Sequence, residues 1–193
     1  MIAGLLLAAG HSRRFGADKL AARLDGKAVI WWSATALASL DAVYVVIPPG
    51  GDALPQALSR LDVTFVTNLG RDEGMASSIR CGLAALPPDV NAVMITLADQ
   101  PRIAPATVSA LCDRWRIGDV SAVAPVYRDG RGHPVLFGRE CFEALSVLTG
   151  DVGARAVLEA FGERVAYMEV DAVGPVDVDT PQLLAAMHAR DLS

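Results

Sequence analysis

The stretch Leu5-Leu6-Leu7-Ala8-Ala9-Gly10-His11-Ser12-Arg13-Arg14-Phe15-Gly16-Ala17-Asp18-Lys19 decides how this chain is read. An apolar run ends in a turn of small residues, and two arginines and a lysine follow. A backbone that turns on Ala-Ala-Gly can approach a phosphate closely, because no bulky side chain shields its N–H groups. Lys19 then offers a compact charge for the outer phosphates, and Arg14 a planar fork. The pattern predicts a cradle for a nucleoside triphosphate directly after the first strand, with Leu7, Ala8, Ala9, Gly10 and Ser12 around it.

Outward from that turn, short apolar and β-branched runs alternate with helical patterns. Residues 2–8, 42–47, 63–67 and 92–97 read as strands, and 121–126 and 165–170 add two more. Ile79, Gly82, Leu83 and Leu86 recur at helical spacing, as do Val108, Leu111, Cys112 and Trp115, and Leu183, Leu184 and Met187. Pro105 and Pro181 suit the first turns of their helices. This alternation predicts an α/β fold, a mostly parallel sheet covered on both faces in a Rossmann-like three-layer α/β/α arrangement. Ligands bind such sheets outside the carboxyl ends of the strands. The loops beginning at Ala9, Asn68 and Asp99 are therefore expected to face one site.

With 193 residues and 52% hydrophobic content the chain has enough material for one domain with a sizeable core. No repeat or linker divides it. Residues 127–160 break the rhythm with Arg128-Asp129-Gly130-Arg131-Gly132-His133-Pro134 and Gly150-Asp151-Val152-Gly153-Ala154-Arg155, and are expected to form a substrate-binding excursion. No apolar run reaches the roughly 18–20 residues needed to span a bilayer, so no membrane partner is expected. Residues 1–10 superficially resemble a signal peptide but lack its positive leading region, and read as a buried strand. Three cysteines, an odd number with no C-x-x-C, suit the reduced thiols of a cytoplasmic protein. A net charge of −5 argues against a nucleic-acid partner. An acidic protein that handles a polyanion must concentrate positive charge locally or borrow it from a metal.

Asp99 follows the apolar run 92–97, at the carboxyl end of a buried strand, where a carboxylate can hold Mg²⁺ against substrate phosphates. Alone it could equally cap the turn before Pro101; a phosphate cradle in the same sheet favours the metal. In Asp177-Val178-Asp179-Thr180-Pro181, strand periodicity points both aspartates to one face. Asp179 there can bind metal or, with Thr180, cap the last helix. The loop from Asn68 to Ser78 ends at a helix N-terminus, where Ser77 and Ser78 can contact a base or ribose and the dipole favours an anion; an ordinary cap is the alternative. Arg80 either reaches a phosphate or stays solvated. His133 has no partner at catalytic spacing and suits substrate positioning or loop structure, Cys81 suits packing, and His11 and His188 form no metal-ligand pattern. No G-x-S-x-G elbow, G-x-G-x-x-G fingerprint or Walker lysine is present.

Leu7-Ala8-Ala9-Gly10-x-Ser12-x-Arg14-Phe15-Gly16-x-x-Lys19 resembles the signature L-A-A-G-x-S-x-R-x-G-x-x-K of the nucleotidyltransferases. Together with Gly74-Met75-Ala76-Ser77-Ser78, Leu97-Ala98-Asp99-Gln100-Pro101, Gly132-His133-Pro134-Val135 and Asp177-Val178-Asp179-Thr180-Pro181, it is similar to the molybdenum-cofactor cytidylyltransferases. The resemblance spans nearly the whole chain in order. The first motif is common to the wider superfamily, and the later ones narrow it.

The resemblance implies transfer of CMP from CTP to molybdopterin cofactor, with Mg²⁺ and release of pyrophosphate, before delivery to a molybdoenzyme. Arg14 and Lys19 would hold the triphosphate, Asp99 would bind Mg²⁺ with Asp179 as second ligand, and His133, Asp151 and Arg155 would meet the acceptor. Guanylyl relatives usually read L-A-G-G, so the methyl of Ala9 would narrow the base site toward a pyrimidine. Asp18 before Lys19 is shared with guanylyl relatives, and Ala76 stands where many relatives have glycine. The alternatives are GTP or another phosphorylated acceptor, a non-catalytic carrier of the cofactor, and a dinucleotide oxidoreductase, against which the missing glycine fingerprint counts.

Overall fold

In chain order, β1 (Ile2–Leu7) leads through a two-stranded ribbon, β2 (Arg23–Leu24) and β3 (Lys27–Ala28), into α1 (Val29–Ala36). Then come β4 (Ala42–Ile47), α2 (Ala53–Ala57), β5 (Thr64–Thr67), α3 (Met75–Ala84), β6 (Ala92–Leu97) and α4 (Pro105–Arg116). The second half holds β7 (Ala122–Tyr127), β8 (Gly130–Arg131), β9 (Val135–Gly138), α5 (Phe142–Ser146), α6 (Arg155–Phe161), β10 (Val165–Glu169) and α7 (Pro181–Ala189). This computed structural model describes residues 1–11, 15, 18–151 and 153–189.

The main sheet runs β10-β7-β9-β6-β1-β4-β5, with β8 on the edge of β7. The pairs β1–β4, β1–β6, β4–β5 and β7–β10 are parallel. β9 alone enters the middle of the sheet against the grain, antiparallel to both β6 and β7. Part of the 127–160 segment is thus central core, while β8, α6 and the adjoining loops flank the clefts described below.

Alternation along the central strands sorts the core into two layers. Leu6, Met94 and Leu136 pack toward α1 and α4, where Ile30 and Leu111 meet them. Leu5, Ile95 and Phe137 pack the other way, toward Ile79 of α3, Leu145 of α5 and Leu158 of α6. All six residues of β1 are buried, which fits a central strand covered on both faces. α3 crosses β1 so closely that a Cβ on Gly82 would collide with the Leu5 side chain. Cys81, Cys112 and Cys141 are free thiols, and burial pushes the Cys141 thiol up to about 12, as suits a packing residue. No helix among the described residues is long and apolar enough to cross a membrane.

Candidate active site

The register of β1 sets the site. Leu7 stands opposite Leu97 of β6 and Val46 of β4, so the carboxyl ends of three strands finish together. Ala98 N–H donates to the Leu7 carbonyl (3.1 Å) and Ala8 N–H to the Val46 carbonyl (2.8 Å). Asp99 therefore emerges beside the Ala8-Ala9-Gly10 turn, as the sheet logic predicts. That turn floors a cleft of about 210 Å³, with Lys19, Asp99 and Ser78 among its walls. A Cβ added at Gly10 would meet nothing within 4 Å, so the floor is open on that side.

Lys19 is placed by its own loop. Asp18 Oδ1 accepts from the N–H of Leu20 (3.1 Å), forming a local turn. The N–H groups of Val29 and Ile30, at the start of α1, donate to the carbonyls of Ala22 (2.9 Å) and Leu20 (3.1 Å). The loop thus satisfies donors that an uncapped helix start leaves open. From there Lys19 Nζ lies 2.5 Å from Asp99 Oδ2 and 3.2 Å from Asp179 Oδ1. Burial works against the ammonium, but the hydrogen bond and charge of Asp99, then those of Asp179, outweigh it and raise its pKa.

Asp179 arrives differently from expectation. Residues 171–180 form no strand; the segment is irregular, and Val178 N–H donates to the Asp99 carbonyl (2.9 Å). That one bond, with Val178 fully buried, lays the segment over the end of β6. Asp177 Oδ1 accepts from Gln100 Nε2 (2.8 Å), while Asp179 reaches Lys19. Thr180, not Asp179, caps α7, its hydroxyl accepting from Leu183 N–H (3.2 Å). Burial pushes the Asp177 carboxyl up, and the charges of Asp99 and Asp179 add to this while Gln100 and Lys19 oppose it. Two carboxylates therefore share one lysine, with Asp177 beside them on Gln100.

That arrangement fits a divalent cation. Two carboxylate oxygens converge on one point, marked by Lys19 Nζ. No cluster of three or more His, Cys, Asp or Glu among the described residues is placed to hold a metal with protein ligands alone. Mg²⁺ does not need one, since it takes one or two carboxylates and completes its shell with phosphates and water.

The other expected residues among those described divide between this rim and a second cleft. Asn68, itself buried, donates from Nδ2 to the hydroxyls of Ser77 (2.9 Å) and Ser78 (3.1 Å). Ser77 donates in turn to the Gly74 carbonyl (2.8 Å), so it braces the loop, while Ser78 lines the cleft. The N-terminus of α3, expected to face a ligand anion, holds the protein's own carboxylate: Met75 N–H donates to Asp151 Oδ1 (3.3 Å). Arg80, partly exposed, is engaged by Glu73 (2.6 Å) and the Leu148 carbonyl (2.6 Å) rather than held out toward the cleft. His133, Asp151 and Arg155 gather at a second cleft of about 300 Å³, largely apolar, which shares Leu7, Met75 and Asp151 with the first. Burial pushes the His133 imidazole pKa down and favours the neutral ring, and the hydrogen bond to the Ile95 carbonyl and the charges of Asp177 and Asp99 oppose this only in part. Ser12 and Arg14 lie outside the described residues. Sequence reading missed Arg71, whose guanidinium reaches His11 Nδ1 (2.7 Å) at the edge of the turn; no local pattern announces that contact across sixty positions.

Residues 4–166 match the MobA-like NTP transferase domain family. The chain belongs to that family and is a nucleotidyltransferase. It is 31% identical over 194 residues to the purine catabolism protein PucB of Bacillus subtilis, covering 93% of this chain and 92% of that one. It is 28% identical to a probable molybdenum cofactor guanylyltransferase of Chloroflexus aggregans, covering 70% of this chain and 64% of the relative. Among solved structures it is similar to Rv0371c of Mycobacterium tuberculosis, at 29% identity and a TM-score of 0.83 over 97% of each chain. Rv0371c has also been solved in complex with manganese, at a TM-score of 0.80 and 28% identity over 97% of this chain and 98% of that one.

Proposed function

We propose that this nucleotidyltransferase moves CMP from CTP to the phosphate of molybdopterin cofactor, with Mg²⁺, and releases pyrophosphate. The observation that carries the reading is the convergence of Asp99, Asp179 and Lys19 on one point above the Ala8-Ala9-Gly10 turn, with a second cleft opening beside it. One cleft suits the nucleotide and the other the acceptor. The manganese complex of Rv0371c supports a divalent cation, and Asp99 and Asp179 would hold it here; when bound, it supplies positive charge to the phosphate oxygens.

In the reaction an acceptor phosphate oxygen bonds to the α-phosphorus of CTP. The bond from that phosphorus to the bridging oxygen breaks, and its electron pair leaves with pyrophosphate. A phosphate monoester is already ionised near neutral pH, so no side chain need take a proton, and a half-buried His133 with no carboxylate bonded to it among the described residues is no gap. The barrier is repulsion between two anions brought into line. Lys19 and the N–H groups of the turn offset it on the nucleotide side, and removal of one such group lowers rates by roughly 10²–10³.

Ala9, buried in the turn and lining the first cleft, supports the smaller pyrimidine. The Chloroflexus relative favours GTP as the second reading, while the name of the Bacillus protein specifies neither nucleotide nor acceptor. Pyrophosphate release with CTP and with GTP, each with and without molybdopterin, tests the proposal. Release with CTP that depends on molybdopterin is expected. Preference for GTP would overturn the base assignment, and nucleotide binding without pyrophosphate would point to a non-catalytic carrier.

A further inference from the structure

Two anions must meet at this site, and the cations described so far serve the nucleotide. Three arginines near the clefts are already engaged: Arg71 by His11, Arg80 by Glu73 and the Leu148 carbonyl, and Arg155 by Glu159 (3.1 Å). Arg131 is placed otherwise. Its guanidinium carbon lies 4.2 Å from the centroid of the Tyr167 ring, and no carboxylate among the described residues pairs with it. An aromatic face beneath a guanidinium takes up none of its hydrogen-bond capacity in the plane, which leaves N–H donors to grip a phosphate with two parallel bonds.

The fold sets that contact. Arg131 on β8 pairs with Val126 of β7, while Tyr167 on β10 pairs with Ala124 from the opposite edge of the same strand, so ring and guanidinium meet across β7. Arg131, Gly132 and His133 form the wall shared by the apolar cleft and a neighbouring polar cleft of about 430 Å³. Gln100, 6% exposed, also lines the polar cleft, its Nε2 held by Asp177.

We propose that Arg131, braced by Tyr167, binds the phosphate of the acceptor and presents it to the nucleotide. This rests on the transfer reaction proposed above and adds the acceptor-side cation which that reaction lacks. The chemistry of the two clefts fits a phosphate monoester carried on a flat heterocycle: an anion fork and an apolar wall.

Initial rates of pyrophosphate release, with molybdopterin and CTP varied separately, test the role in the wild type, Arg131→Gln, Arg131→Lys and Tyr167→Leu. Arg131→Gln is expected to raise the KM for molybdopterin about 10–100-fold, the loss typical of a charge-assisted pair, with the KM for CTP within about twofold. Arg131→Lys should recover part of the loss, and Tyr167→Leu should raise the same KM by a smaller factor. An unchanged molybdopterin KM, or an equal rise in both KM values, would overturn the assignment. If the wild type transfers nothing to molybdopterin, the acceptor reading fails, and Arg131 is judged by NMR titration with phenyl phosphate. Displacement of its Nε–H resonance, with weaker binding in Arg131→Gln, supports the role; equal binding in both proteins overturns it.

Discussion

Lys19 occupies the point where a cation is needed whether or not substrate is present. With Asp99 and Asp179 within 3.2 Å of its ammonium, it holds together two carboxylates that would otherwise repel. Because this pairing raises its pKa above the usual 10.5, its contribution is whole at neutral pH and is lost only as the pH rises through the raised value. Replacing Lys19 with Met leaves both carboxylates without it, and a loss of about 1–3 kcal/mol is expected in the presence of a chelator. Mn²⁺ should then raise the melting temperature of Lys19→Met more than that of the wild type; equal responses would show that the lysine does not balance these carboxylates. His133 titrates the other way. Burial holds its pKa below the usual 6.5, so the neutral ring's contribution is full above that value and is lost as the pH falls through the depressed one. The melting temperature of the wild type should fall more steeply from pH 7 to pH 5 than that of His133→Gln, and parallel curves in scanning fluorimetry would contradict this.

At the scale of elements, the N-terminus of α3 is held from outside. Gly74 has φ +93°, and a Cβ there would lie 2.5 Å from the Gly150 carbonyl, while Ala76 N–H donates to the same carbonyl (3.1 Å). The Gly150–Asp151 turn is thereby clamped between the two clefts. Gly74→Ala should lose about 1–3 kcal/mol, a fall of roughly 2–4 °C in melting temperature for each kcal/mol, with faster proteolytic cleavage near Val147. A variant that melts and resists protease like the wild type would refute the clamp. Which elements the sequence discloses follows from local physics. β1, β4 and β6 are apolar, β-branched runs in a parallel sheet, and α4 carries Pro105 at its start. α1 is hidden, because Val29-Ile30-Trp31-Trp32 is β-branched and aromatic, and Ala28 makes no side-chain cap. Its cap is instead the Leu20 and Ala22 carbonyls, a tertiary contact. β9 is hidden for a related reason: four residues next to Pro134 give too short a period to separate a central strand from a loop.

At the scale of the whole molecule, the expectation that the loops beginning at Ala9, Asn68 and Asp99 face one site needs only strand order, and β6-β1-β4-β5 supplies it. Asp99 and the glycine turn were legible because both follow directly from strands. The placement of Asp179 was not, because it depends on Val178 donating to the Asp99 carbonyl nearly eighty positions away, in a segment with no regular structure. Nor could spacing reveal that Asp151, from the far half of the chain, would occupy the start of α3. The site is thus assembled from three distant stretches, and in the proposed reaction two of them, through Asp99 and Asp179, jointly hold the divalent cation of nucleotide transfer. Electron paramagnetic resonance of Mn²⁺ titrated with CTP into the wild type, Asp99→Asn and Asp179→Asn tests this most directly. The account predicts nucleotide-dependent Mn²⁺ binding in the wild type and at least tenfold weaker binding in both variants, with their melting curves intact. Binding of equal strength in all three proteins would contradict it.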